Sequence, residues 1–226
     1  IIQIAEDLGY NVEWDIVNSK NYEVPQKRKR VIFIGSKSKI EGAFENDKNK
    51  TVTVRKAIND LPKVKNGNRK DILEYSKNKN LSEYQKSMRN NGSSKVSNNK
   101  VTKNGELVRK RYKHIPPGGN WENIPDRLMK NYEDPSRCHS GIYHRLRWDE
   151  PSIVISNFRK NMLIHPEENR GLSVREAARL QSFPDNYIFK GPISSQQQQV
   201  ANAVPPILAR EIGKKIKNCN SRRKNE

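Results

Sequence analysis

"VPQKRKRVIFIG", residues 24–35, sets four consecutive cations, Lys27, Arg28, Lys29 and Arg30, directly before the apolar run Val31-Ile32-Phe33-Ile34. β-branched and aromatic residues closed by Gly35 predict a buried strand. Carrying the two-residue alternation of that strand back through the cations places Gln26, Arg28 and Arg30 on the face of Ile32 and Ile34. Lys27 and Lys29 fall on the other face. One face is therefore a row of planar donors. A guanidinium offers forked donors in a fixed plane and does not lose its charge, so the row suits a bound anion. The plainer reading is a solvated basic turn before an edge strand, and Lys27 and Lys29 keep it.

Upstream, Ile1, Ile4, Ala5 and Leu8 fall on one helical face, and Gly9 stands where a left-handed residue ends a helix. Val12, Trp14 and Ile16 then alternate with Asn11, Glu13 and Asp15, the pattern of a strand with one buried face. Helix, strand, loop and strand make a piece of an α/β sheet. A piece this small does not stand alone, so the remainder of its sheet is expected elsewhere.

Downstream the pattern weakens. "DKNKTVTVRKAINDLP" predicts a short strand at 51–54 and a helical turn before Pro62, while "KVKNGNRK" and "RNNGSSKVSNNK" read as exposed loops. "IPPGGNWENIPDRL" holds a tight turn and an aromatic anchor, Trp121. "YHRLRWDEPSIVIS" predicts a strand at 153–155. In "LSVREAARLQSFPD", Ser173 with Glu176 forms a capping box, Val174, Ala177, Ala178 and Gln181 form a narrow inner face, and Pro184 ends the helix. In "VANAVPPILAREIGKKIKN", Pro205 and Pro206 pre-set a first turn and Leu208, Ile212 and Ile216 form a stripe.

The composition bounds the partners. Lys and Arg number 44 against 25 Asp and Glu in 226 residues, a formal charge of +19, and such a field attracts polyanions, nucleic acid first. Only 33% of residues are hydrophobic and the mean hydropathy is −1.00, so the core is small or shared. No run approaches the ~18–20 apolar residues of a membrane span, and the start lacks a secretory pattern. A cytoplasmic chain with no membrane partner is expected. Cys138 and Cys219 lie far apart, which gives no disulfide framework and agrees with a reducing compartment. Cys138 lies beside His139 with Arg137 able to lower its pKa, and with His139 and His144 it could ligate a metal, but no paired CxxC supports a metal site. His114 and His165 read as structural.

"VPQKRKRVIFIG", "IPPGGNWENIP", "RGLSVREAARLQSFPD" and "VANAVPP", in that order, resemble the C-terminal part of a DNA (cytosine-5) methyltransferase, over residues 1–36 and about 106–215. The resemblance implies methyl transfer from S-adenosylmethionine to C5 of a cytosine flipped out of double-stranded DNA. It implies an α/β fold: the C-terminal fragment of a Rossmann-like sheet plus a small, irregular, mixed α/β target-recognition domain. Residues 1–36 would end the catalytic domain, 37–169 would form the recognition domain with its basic loops, 170–217 would return to the catalytic domain, and 218–226 would be a tail. Arg30 would face the O2 side of the target cytosine, with Arg28 and Gln26 supporting the site and the DNA backbone. Asn202, Ala203 and Val204 would line the methionine end of the cofactor pocket, although Ala201 stands where the family has Gly. Val154 stands where relatives carry a phosphate-binding Thr, leaving Ser156 or Asn157 as substitutes for that DNA contact. Arg175 and Arg179 would be scaffold.

The chemistry needs a cysteine to attack C6 and a carboxylate near N3. The chain has no Gly-rich loop after a first strand, no Pro-Cys pair and no Glu-Asn-Val segment. The resemblance therefore implies that those elements come from a missing N-terminal part, in the same chain or a separate one, and that the isolated chain is inactive. The alternative is a DNA-binding specificity subunit without chemistry of its own. A generic RNA or ribosome binder would not explain four ordered motifs.

Overall fold

The computed structural model describes residues 1–38, 42–44, 51–77, 80–89, 92–132, 139–158 and 163–222, with side chains through residue 217. Helix α1 (Ile2–Asp7) is followed by Gly9 at φ +75°, the left-handed conformation that glycine adopts without a Cβ penalty. Strand β1 (Asn11–Asn18) pairs antiparallel with β2 (Lys29–Ser36), Trp14 opposite Phe33, Ile16 opposite Val31 and Val17 opposite Arg30. A 3₁₀ turn, Ser19–Tyr22, joins them, with Asn18 accepting from the Lys20 N–H.

Burial corrects the expected face of β1. Trp14 and Ile16 are 50% and 57% exposed, and their cross-strand partners Phe33 and Val31 are 42% and 50% exposed. Val17 and Ile34 pack inward instead. Alternation reveals two unlike faces but does not say which one a neighbour covers. Ile1, Ile4 and Leu8 of the first helical segment are also exposed, so the opening presents a broad apolar surface. Among the described residues no third strand joins either edge of the pair.

The next segment is more ordered than its composition suggests. The strand expected at 51–54 is absent. Thr53 instead caps α2 (Val54–Ile58), its hydroxyl accepting from the Lys56 N–H. A short pair, β3 (Leu73–Glu74) with β4 (Lys95–Val96), and two helices, α3 (Glu83–Met88) and α4 (Glu106–Tyr112), occupy the stretch read mainly as loops. Val96, Asn98 and Asn99 of "KVSNNK" are buried. Asn98 sits at φ +68°; its amide donates to Phe189 O and Gln196 Oε1, and its oxygen accepts from Phe189 N and Arg175 Nη2. Asparagine tolerates that backbone, and here it satisfies four partners at once. The strand expected at 153–155 reduces to a single parallel bridge between Gln26 and Ser152.

Helix α5 (Val174–Leu180) has the expected Ser173–Glu176 capping box, but all of its residues are buried and not only a narrow face. Helix α6 (Ile193–Asn202) has no counterpart in the sequence reading, and α7 (Pro206–Arg222) buries Leu208 and Ile212 and packs against the Ser19–Tyr22 turn. One apolar cluster links Val17, Val24 and Ile34 to Ile58, Leu146, Ile155, Leu180 and Ile212. A smaller one gathers Tyr112, Ile115, Ile124, Met129, Tyr143 and Ile164.

Charged side chains complete the core around α5. Arg170 donates two hydrogen bonds of 2.8 Å to the Glu176 carboxylate, which also accepts from the Ser173 N–H at 2.7 Å. Burial alone would raise the Glu176 pKa; the Arg170 charge and hydrogen bonds overcome it and hold the carboxyl at about 2. A folded pKa below the unfolded one stabilises the fold above pH ~4.5 and ceases to do so as pH falls through 2, a contribution of about 3 kcal/mol. Between pH 5 and pH 2, urea unfolding should therefore show the parent losing about 3 kcal/mol more than a Glu176→Gln variant. Equal losses would contradict the pairing.

Candidate functional site

The donor row divides by depth. Gln26 is fully buried, its amide donating to Gln181 Oε1 at 2.6 Å and Leu180 O at 3.4 Å while its oxygen accepts from Ile155 N at 2.9 Å. Gln26 is thus a positioning residue that ties the lead of β2 to the end of α5 and to the segment around Ile155. Gln181 continues the chain, donating to Val200 O and Ala203 O at 2.9 and 3.3 Å. Two buried amides therefore set the spacing between the arginine row and residues 202–204.

Arg28 is half-buried and donates to Ile155 O at 3.4 Å. Burial first, and then the neighbouring Arg30 charge, pull its pKa down. Arg30 is exposed and donates to its neighbour's carbonyl, Lys29 O, at 2.7 Å. No carboxylate among the described residues pairs with either guanidinium. Two like charges held together at an open rim favour an incoming acceptor or anion. Lys27 instead spends its charge locally, on Glu150 at 2.7 Å, and its N–H bonds Ser152 O at 2.8 Å.

Ser156 and Asn157 lie half-buried just past Ile155. Ile153, Val154 and Ser156 line a cavity of about 370 Å³ with Gly118, Asn120, His139 and His144. The Pro-Pro-Gly-Gly turn forms its opposite wall, held by Gly118 N to Arg145 O and Arg145 N to Gly119 O. Both glycines are required. Gly118 stands at φ +83° with Arg147 Cδ 2.9 Å from where its Cβ would lie, and a Cβ on Gly119 would run into the Asn123 side chain.

Asn202 is the last residue of α6, so it does not cap the following helix. Its side-chain oxygen accepts from Gln198 at 2.7 Å, and both Asn202 and Val204 are exposed. The start of α7 is partly satisfied within the chain, since the Ile207 N–H donates to Ser182 Oγ at 3.2 Å. That start therefore has one N–H fewer to offer a bound carboxylate near residues 202–204. Cys138 and the Cys219 side chain lie outside the described residues. Among the described residues no group of three His, Cys, Asp or Glu side chains could hold a metal ion, and no helix is long and apolar enough to cross a membrane. His165 is buried with its Nδ1 accepting from the Glu167 and Glu168 N–H groups, a structural arrangement.

The fold is that of methyltransferases. It superposes on a prophage-encoded E. coli protein described as a DNA modification methyltransferase with a TM-score of 0.72 at 22% identity, covering 95% of this chain and 62% of that one. The methyltransferase EhMeth of Entamoeba histolytica gives 0.54 at 10% identity, covering 96% and 56%. In sequence, residues 1–218 match the C-5 cytosine-specific DNA methylase family, and the chain belongs to it. It is 33% identical over 215 residues to the type II methyltransferase M.Sau96I of Staphylococcus aureus, 92% of this chain and 43% of that protein. Against M1.HphI of Haemophilus parahaemolyticus the identity is 33% over 222 residues, 98% and 52%. The chain spans about half the length of these relatives.

Proposed function

We propose that the chain is the part of a DNA (cytosine-5) methyltransferase that grips the target base and recognises the DNA, and that a preceding half, in the same or a separate polypeptide, supplies the attacking cysteine. Residues 1–36 and 170–217 belong on this reading to the catalytic domain and 37–169 to target recognition. The observation that carries it is the donor row: Arg30 lies on β2 and Arg28 just before it, neither paired with a carboxylate among the described residues, and the Gln26–Gln181–Ala203 hydrogen bonds tie the lead of that strand to residues 202–204.

Attack on C6 of cytosine pushes negative charge onto the ring's N3 and O2. A guanidinium at O2 stabilises that charge as it develops, the task we assign to Arg30, and its exposure leaves it free to reach a base. Arg28, nearer the protein, holds the site and a flanking phosphate, with Ser156 or Asn157 as the neutral phosphate contact. Residues 202–204 fit S-adenosylmethionine as one wall: Asn202 offers an amide and Val204 an apolar surface, both exposed, and Gln181 fixes the backbone between them. When bound, that cofactor would supply a methyl group activated by its sulfonium, C5 taking the methyl as the S–CH₃ bond breaks and the neutral thioether leaves. The other walls must come from outside these residues, and without them and the cysteine the isolated chain transfers no methyl group.

The uncovered apolar surface of α1, β1 and β2 supports the missing half. Four exposed side chains, Trp14, Ile16, Val31 and Phe33, lie on one sheet face, and patches of this kind mark contact surfaces. Mixing the chain with the N-terminal half of a family member should bury Trp14 and blue-shift its fluorescence, and Trp14→Glu should prevent assembly. An unchanged spectrum on mixing would count against a covering half.

A further inference from the structure

We propose that the cavity between the Pro-Pro-Gly-Gly turn and residues 153–156 receives the edge of a nucleobase in duplex DNA, and that His139 and Asn120 read it. This rests on the DNA reading above and goes further by naming where sequence is distinguished. The cavity, about 370 Å³, has room for a base edge. Its walls combine apolar Ile153 and Val154 with hydrogen-bonding groups, Asn120, His139, Ser140, His144 and Ser156, and among the described residues no Lys or Arg lines it. Base edges are read by hydrogen-bonding groups set beside apolar contacts, and this lining offers that mixture.

The proton positions follow from hydrogen bonds within the chain. His139 Nδ1 accepts from the Gly141 N–H at 3.1 Å, which leaves Nε2 as the nitrogen that carries a proton and donates. Gly141 permits this approach, because a Cβ there would stand 3.0 Å from His139 Nδ1. Asn120 Oδ1 accepts from the Glu122 N–H at 2.9 Å, which leaves its NH₂ with no partner among the described residues. His144 is half-buried in the wall, makes no ring hydrogen bond among the described residues, and has its pKa pulled down, first by burial. Two donors match two adjacent acceptors, and guanine presents that pair, N7 and O6, in the major groove. The placement is apt. Ile155 is clamped by Gln26 and Arg28, while Val154 and Ser156 on either side of it line the cavity, so one extended segment separates base reading from the arginine row.

The test uses the full chain, a randomised duplex pool and fluorescence anisotropy across a salt series. His139→Asn keeps an acceptor for the Gly141 N–H and removes the Nε2 donor; Asn120→Ser keeps a capping oxygen and removes the NH₂. The parent should prefer guanine at one position by ~10-fold or more, and each variant should reduce that preference to roughly twofold with the salt slope unchanged. Preference retained in both variants, or a parent that binds every sequence alike with a normal salt slope, would overturn the base-reading role and leave the DNA reading standing. A parent that binds no duplex at any salt would overturn both.

Discussion

Arg179→Ala should destabilise the fold by about 3–5 kcal/mol, the largest single loss expected anywhere in the chain. Arg179 is fully buried and donates to Asp185 at 2.7 and 2.6 Å, to Asp60 Oδ1 at 3.2 Å and to Ala57 O at 2.9 Å. Both carboxylates are themselves buried, at 0% and 1% side-chain exposure. Removing the cation strips each buried carboxylate of its closest buried guanidinium, leaving Asp60 to Arg89 at 2.8 Å and Asp185 to Tyr75 at 2.5 Å and to the more distant Arg175 at 3.7 Å. Lysine cannot restore the fork, so Arg179→Lys should recover only part of the loss. Urea unfolding at pH 7 measures both variants, and a loss below about 1 kcal/mol for the alanine variant would show that the network is not what holds α5 in place.

The second large effect is on activity. In an enzyme completed by its N-terminal half, Arg30→Ala should lower kcat by roughly 10²- to 10³-fold, the usual scale for losing one donor aimed at developing charge. Thermal unfolding should hardly move, because Arg30 is exposed and its one side-chain hydrogen bond among the described residues is to Lys29 O. That split separates the two residues clearly: Arg179 changes stability, Arg30 changes turnover. A variant with normal kcat would place the target base elsewhere.

The strand at 31–34 was legible because β-branched and aromatic residues run up to Gly35, and β2 spans Lys29–Ser36, with Arg30 inside it and Arg28 just before it. Which face packs inward was not legible, since Trp14 and Phe33 on one face are as apolar as Val17 and Ile34 on the other, and alternation does not rank two such faces. Helix α6 escaped notice because its buried positions include Gln196 and Gln197, glutamines that look like a solvated tract. Asn98 escaped for a related reason: a polar residue in a Lys- and Asn-rich stretch reads as loop, and only the fold reveals that its amide bridges α5, α6 and Phe189. Thr53 reads as a β-former until its hydroxyl is seen capping α2. The capping box at Ser173 was legible because both partners sit within one turn of each other. His139 and Asn120 carried no such local signal, since their cavity is assembled from three separate stretches of chain.

The most direct measurement is methyl transfer itself. Labelled S-adenosylmethionine and duplex DNA are incubated with this chain, with the N-terminal half of a family member that carries the cysteine and the cofactor loop, and with the two together. The account predicts label on cytosine C5 only in the mixture, and none when Arg30→Ala replaces the parent chain. Label transferred by the chain alone, or a mixture indifferent to Arg30, would contradict it.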